Sequence, residues 1–269
     1  MNKGFTFKEF VVNHERCAMK VGTDGILLGA WAPIVNMHNM LDIGCGSGLI
    51  SLMLAQRYYQ QGTAAKAGVC NITAIDIDDN AVMQTAENVA LSQWSQSIKV
   101  IQCNFFEWAK EQQEHELHSF DAEYANKHNF DLIISNPPFF NDSLISPDES
   151  RALARHNVEF DHLALLKVAA QLLRVDGFLA IILPVAEAEV LLKKCYEAGL
   201  TCIKLTKVSA RPNKAFHRYL MLFSKSNSHI AQSQIQQQSI PEDNLSIYNE
   251  NNEYSAEYTA LTQAFYLKM

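Results

Sequence analysis

The sequence predicts an α/β fold, a mostly parallel sheet with helices on both faces. Between residues 39 and 224, short β-rich apolar runs alternate with helical patterns, the signature of βαβ units. A glycine-rich turn follows the first of those runs and opens a helix. Composition agrees: 269 residues, 48% hydrophobic and 19% charged, describe a globular chain rather than a disordered one.

The elements follow in order. Strands are expected at Met40–Ile43, Ile72–Ile77, Ile98–Gln102, Asp131–Ser135, Phe178–Leu183, Thr201–Val208 and Arg218–Phe223. Helical patterns fill Leu49–Tyr58, Asn80–Leu91, His162–Leu173 and Ala186–Ala198, with Gly177 and Gly199 where helix C-caps belong. Residues 112–129, carrying three histidines and several charges, read as a surface loop. The chain divides into an N-terminal segment (1–38) closing over the site, a catalytic domain (39–224), a polar Ser/Gln/Asn/Glu-rich excursion (225–257) and a C-terminal segment (258–269) that docks back.

Charge and cysteine content narrow the class. With 22 Lys+Arg against 29 Asp+Glu the formal net charge is −7, which speaks against a general nucleic-acid coat protein but permits a local basic site. Such a site has a candidate: Gly199 to Lys225 holds six Lys/Arg and no acid, whereas Glu107 to Glu123 holds six acids and one Lys. No apolar run reaches the ~18 residues of a membrane span, and the first residues lack a signal peptide's apolar core, so a soluble cytoplasmic protein is expected. Six cysteines without a Cys-x-x-Cys pair or zinc spacing are expected to be reduced thiols, and no metal site is expected.

The chemistry is carried by four stretches. In Asp42-Ile43-Gly44-Cys45-Gly46-Ser47-Gly48 the glycines let a ligand approach the backbone. The acid two residues before the first glycine would repel a pyrophosphate and attract an ammonium or sulfonium, so the cofactor is expected to be cationic there. Asp76, ending the second strand, is placed to take both ribose hydroxyls of a nucleoside, with Asp78 or Asp79 capping the next helix. After the third strand, Asn104 offers hydrogen bonds to an adenine edge and Phe105 a packing face; a plain strand-end turn is the competing reading. After the fourth strand comes Asn136-Pro137-Pro138-Phe139. Consecutive prolines pin the backbone. The Asn136 side-chain oxygen and the Pro137 carbonyl then both accept from one planar NH2 group, while Phe139 supplies a stacking face. Two acceptors oppose delocalisation of a weakly nucleophilic exocyclic amine and stabilise the charge that develops as it attacks.

Together these residues resemble the class I, Rossmann-like S-adenosylmethionine-dependent methyltransferases over roughly residues 20–224. The resemblance implies a seven-stranded sheet of order 3-2-1-4-5-7-6 with strand 7 antiparallel, a methionine-binding turn at Asp42, Gly44, Gly46 and Gly48, a ribose acid at Asp76, an adenine contact at Asn104, and S-adenosylhomocysteine as product. Further stretches are similar to bacterial tRNA(Val) adenine-N6-methyltransferases: Phe5-Thr6-Phe7-Lys8, Cys17 to Gly29, Ala154-Arg155-His156, Ala210-Arg211-Pro212 with Arg218, and Phe265-Tyr266-Leu267. That family methylates the adenine directly 3′ of the anticodon, position 37. The resemblance implies that Lys20, Thr23 and Asp24 close over the cofactor. An RNA substrate would meet Arg211, Lys214, His217 and Arg218, with Arg151, Arg155 and His156 near the pocket mouth. The expected partner is the anticodon stem-loop of a tRNA, whose target base is already unpaired; no protein partner is implied.

Other readings compete. Ribosomal guanine-N2 and protein glutamine-N5 methyltransferases use a similar Asn-Pro-Pro motif, but the former tend to carry a second domain copy and the latter an N-terminal helical domain. DNA adenine methyltransferases need a target-recognition domain. A catalytically silent RNA-binding module on the same fold would not need an intact Asn136–Phe139. The remaining histidines (His14, His38, His115, His118, His128, His162, His229) are expected at the surface or in packing.

Overall fold

The computed structural model describes residues 4–61, 70–118, 130–138, 161–225 and 240–268. Its centre is a sheet of eight strands: β3 (Asn39–Ile43), β4 (Asn71–Asp76), β5 (Ile98–Gln102), β6 (Phe130–Ser135), β7 (Leu173–Pro184), β8 (Leu200–Ser209), β9 (Phe216–Lys225) and β10 (Glu242–Ser246). Their order is β10-β8-β9-β7-β6-β3-β4-β5, with β9 antiparallel to both neighbours and every other pairing parallel. Seven of the eight reproduce the expected order. Two short strands, β1 (Phe5–Thr6) and β2 (Val11–Val12), form a separate hairpin.

The sheet is covered on both faces, so its strands are apolar on both sides. In β9, Tyr219, Met221 and Phe223 belong to one core, and Leu220 and Leu222 to the other. The Leu220/Leu222 face packs under α1 (Thr23–Trp31), α2 (Leu49–Gln60) and the C-terminal helix α7 (Ala256–Thr262), and the Tyr219/Met221/Phe223 face is the second. The second packs under α4 (Phe105–His118), α5 (His162–Leu172) and α6 (Val185–Lys194). Helix α3 (Asp79–Ala90) starts at an Asp78 cap, whose side chain accepts from the Asn80 amide at 2.9 Å.

Several elements depart from the sequence reading. Residues 112–118, the described part of the expected 112–129 loop, belong to a helix that begins at Phe105. The Asn104 side chain caps the first turn, and Phe105, Trp108 and Ala109 bury one face at i, i+3 and i+4. The polar excursion contains an eighth strand. β10 has one buried residue, Leu245, and is held by Lys207–Glu242 and Lys204–Asp243 ion pairs, the charged profile of an edge strand. Gly177 is not a helix cap. Helix α5 ends into an extended Leu173, Asp176 takes the left-handed turn (φ 61°), and a Cβ on Gly177 would stand 2.8 Å from the Phe130 carbonyl. Gly199 does cap a helical turn, at φ 70°.

The termini clasp each other. Lys8 N donates to the Phe265 carbonyl at 2.8 Å, Phe7 pairs with Tyr266, and Tyr258 and Phe265 are buried. Among the described residues no helix is long and apolar enough to cross a membrane, and no cluster of three metal-ligating side chains occurs.

Candidate functional site

Strand register assembles the site. Ile43 lies beside Ile75 on one side and Ser135 on the other, and Asp76 lies beside Gln102. Gly44, Asp76, Asn104 and Asn136 therefore emerge together at the C-terminal edge, in the order Asn104, Asp76, Gly44, Asn136, with neighbouring strands about 4.8 Å apart. Ligands of open α/β sheets bind at such an edge. The Ser135 hydroxyl, fully buried, donates to the Ile43 carbonyl at 2.9 Å and locks the Asn136 loop to the glycine turn.

The turn itself is built for close approach. Gly44, Gly46 and Gly48 have φ of 72°, 57° and 76°, the left-handed region that glycine adopts without penalty. A Cβ on Gly44 or Gly46 would meet nothing within 4 Å, so space stands open over the backbone amides. On Gly48 it would strike Thr85 Cγ2 at 2.9 Å. Behind the turn, Thr85 Oγ1 donates to the Gly46 carbonyl (2.8 Å), and Asn88 Nδ2 donates to the Ser47 and Asn13 carbonyls (2.8 Å each).

Asp42 is fully buried, on the sheet face covered by α2. Its Oδ2 accepts from the Ser51 amide (3.1 Å) and hydroxyl (2.6 Å), while Oδ1 has no partner among the described residues. Burial, the larger cause, outweighs the two Ser51 donors and pushes the carboxyl up to about 7. Asp76 Oδ2 accepts from the Gly46 amide (2.9 Å) and Oδ1 from the Asp78 amide (3.0 Å); each oxygen keeps further lone-pair capacity. Asn104 spends its oxygen on the α4 cap, accepting from the Phe106 amide at 2.9 Å, and Phe105 is buried in the core rather than presenting a face. Asn136 Oδ1 is buried with no hydrogen-bond partner among the described residues. Pro137 is buried and Pro138 exposed.

The N-terminal segment reaches the same edge. Asn13 and Arg16 donate backbone amides to Asn88 and Gln84 of α3. The Cys17 thiol is pushed up to about 11, by burial first and then by the Asp76 and Asp78 carboxylates beside it. Lys20 is exposed and tied through Nζ to the His14 carbonyl (3.0 Å); Thr23 is exposed at the start of α1. Asp24 faces Arg218, with Nε 2.7 Å from Oδ2. The resemblance implies cofactor contact for Asp24 and RNA contact for Arg218; the structure pairs the two with each other. Arg211 donates to the Asn252 side chain, and Lys214 is exposed without an ion pair among the described residues. Phe139, Arg151, Arg155 and His156 lie outside the described residues.

Five residues have places in the structure that the sequence pattern does not announce. Ile77, directly after Asp76, is 62% exposed, an apolar surface next to the carboxylate. Thr85 and Asn88 brace the turn; their signal was a row of polar residues (Gln84, Thr85, Asn88) on what becomes the buried face of α3. His162, expected at the surface or in packing, hydrogen-bonds the Pro138 carbonyl, and desolvation pushes its imidazole below the ordinary value against that bond. His14 is also buried, its Nδ1 accepting from the Val21 amide at 3.3 Å.

A family profile described as a methyltransferase domain matches residues 35–251. A protein of Histophilus somni (strain 129Pt) is 40% identical over 98% of this chain and 97% of its own length; it is named tRNA1(Val) (adenine(37)-N6)-methyltransferase. A protein of Aeromonas hydrophila with the same name is 39% identical over 100% of this chain and 99% of its own. Among solved structures, a predicted O-methyltransferase from Agrobacterium tumefaciens superposes with a TM-score of 0.56, covering 90% of this chain and 96% of its own at 16% identity. That likeness is one of fold.

Proposed function

The chain belongs to the family of tRNA1(Val) (adenine(37)-N6)-methyltransferases, and from that premise we infer that it is an S-adenosylmethionine-dependent enzyme methylating the exocyclic N6 amine of adenine 37 in a valine tRNA. Relatives aligned along nearly their whole length favour this over the guanine-N2 and glutamine-N5 readings.

The single observation that carries the site assignment is the Asn136 Oδ1, a buried acceptor without a partner among the described residues, one strand from the open space over Gly44 and Gly46. A buried acceptor left unmade costs about 1–3 kcal/mol, a cost that a ligand donor would recover. An adenine N6 amine is such a donor. The residues also fit the cofactor. Its methionine end, ammonium and sulfonium, belongs over the glycine turn, in the field of Asp42. Its ribose hydroxyls belong at the spare lone pairs of Asp76. Its adenine belongs between Ile77 and the Asn104 amide NH2, which the helix cap leaves available. Cys17 to Asp24 would border this pocket from the N-terminal side.

The bound sulfonium supplies an electrophilic methyl group. As the N6 lone pair forms the new N–C bond and the C–S bond breaks, positive charge builds on N6. Asn136 Oδ1 and the Pro137 carbonyl accept its two hydrogens and stabilise that charge; one proton then leaves to solvent. Ser135 fixes this pair of acceptors relative to the turn, and His162 fixes the Pro138 end. The stacking face remains Phe139 on the sequence pattern. The anticodon stem-loop would present adenine 37 unpaired, in the cytoplasm where tRNA is matured.

The test is Asn136→Ala beside Asn136→Asp. Ala should bind S-adenosylmethionine and tRNA while single-turnover methylation falls at least about a hundredfold. Asp keeps an acceptor in place and should retain partial activity. An alanine variant with most of the parent rate would remove Asn136 from the chemistry.

A further inference from the structure

The far half of the sheet carries a feature that methyl transfer does not use. β9 runs antiparallel to β7, with Arg218 beside Pro184; β8 returns, with Ser209 beside Phe216; β10 lies parallel to β8, with Ser246 beside Ser209. The 210–215 hairpin and the 247–254 turn therefore emerge at the same edge as Asn136, two to four strands away, a lateral offset of about 10–19 Å. The two are joined: the Tyr248 amide donates to the Ala210 carbonyl at 3.0 Å, and the Arg211 guanidinium donates to Asn252.

On this surface three aromatic rings face solvent: Phe216 (38% exposed), Tyr248 (37%) and Tyr254 (41%). Tyr248 and Tyr254 are stacked at 5.3 Å and 14°. The stack continues inward, Tyr254 onto Tyr258 at 5.1 Å and 26°, where the Tyr258 and Tyr266 hydroxyls meet at 3.0 Å. Tyr248 is thus the outer rung of a ladder whose inner rungs are fixed, so a further ring can be added at little ordering cost. Cations neighbour it. Lys204, Lys207 and Arg218 are neutralised by Asp243, Glu242 and Asp24, but Arg211 meets only an amide and Lys214 has no ion pair among the described residues. Glu250 and Glu253 share the turn, so the surface is not a phosphate clamp; ring faces supply the affinity and the two cations orient the backbone.

We propose that Tyr248, Tyr254 and Phe216, flanked by Arg211 and Lys214, form a second tRNA contact that stacks an unpaired base other than the one being methylated. The inference rests on tRNA being the substrate. The catalytic loop addresses one base; a stacking contact strands away along the same edge would fix the loop's rotation about that base.

The test is tRNA binding to the full-length protein, with parallel S-adenosylmethionine titration. Tyr248→Ala and Phe216→Ala should each weaken tRNA at least about fivefold, the low end for base–aromatic stacking. Tyr248→Phe should stay within about twofold, because it keeps the ring. Cofactor affinity and the single-turnover rate at saturating tRNA should match the parent. Lys214→Ala should lower the salt slope of binding by about one, which the aromatic variants should not. Parental binding by Tyr248→Ala and Phe216→Ala would overturn the stacking surface, as would equal losses in Tyr248→Ala and Tyr248→Phe. A parent protein that neither binds nor methylates tRNA would instead overturn the substrate itself.

Discussion

Replacing Asp42 by Asn tests how a fully buried carboxylate is tolerated under the glycine turn. Burial pushes the carboxyl up to about 7 in the folded chain, from the 3.8 of an unperturbed aspartate. Because the folded value is raised, the proton binds the native state more tightly. Its stabilising effect is whole below about 4 and is lost as pH rises through about 7. At 1.36 kcal/mol per unit of pKa difference the full loss is about 4 kcal/mol, a ceiling because the protein relaxes around the charge. Asn cannot ionise and keeps an oxygen for the Ser51 amide and hydroxyl. The stability of Asp42→Asn minus that of the parent should therefore climb between pH 4 and 7 and level off above 7. Denaturant unfolding without cofactor, at closely spaced pH values, measures this difference, and the contributions of all other groups cancel. Parallel pH profiles in the two proteins would refute the reasoning and mean that Ser51 alone solvates the charge.

Two further predictions concern the frame of the site. Gly48→Ala should destabilise the fold, since its Cβ would stand 2.9 Å from Thr85 on a left-handed backbone, whereas Gly46→Ala meets no atom and should cost only the ~1–2 kcal/mol of the conformation while its methyl fills the cofactor space; melting temperatures and S-adenosylmethionine titration separate the two, and equal melting temperatures would contradict the contact. His162, its imidazole held below the usual 6.5, contributes stability that is present above that value and lost as pH falls through the folded one. His162→Gln should remove that acid-side dependence and slow turnover without changing cofactor affinity, and a pH profile identical to the parent's would show that the Pro138 bond does not matter.

How much was legible follows from range. Asp42, Gly44, Asp76 and Asn136 each lie at or next to the C-terminal end of a strand, and strand ends are set by local apolar runs, so reading the strands located the edge. Asn104 illustrates the limit. Its type is right both for an adenine contact and for a helix cap, and only Phe105, Trp108 and Ala109, folding as one buried face, show that its oxygen is spent on α4. Asp24 and Arg218 show a second limit. They lie 194 positions apart, and no local pattern announces that β9 brings the guanidinium to the start of α1. His162 gave no signal because its partner is a backbone carbonyl, which every residue has.

The same distinction explains the basic stretch. Counted along the chain, Gly199 to Lys225 has six cations and no acid, which reads as one positive face. The sheet places acids beside half of them. β10 lies against β8 and supplies Glu242 and Asp243, and α1 supplies Asp24. Lys204, Lys207 and Arg218 lie within strands beside those acids; Lys225 donates to the Leu173 carbonyl, and Arg211 and Lys214 at the hairpin have no acid partner among the described residues. Arg211 and Lys214 are the two that chain reversal carries beyond the last register pair. Strand pairing thus decides which cations of the stretch meet acids, and these two are left without one among the described residues, at the edge where Asn136 sits.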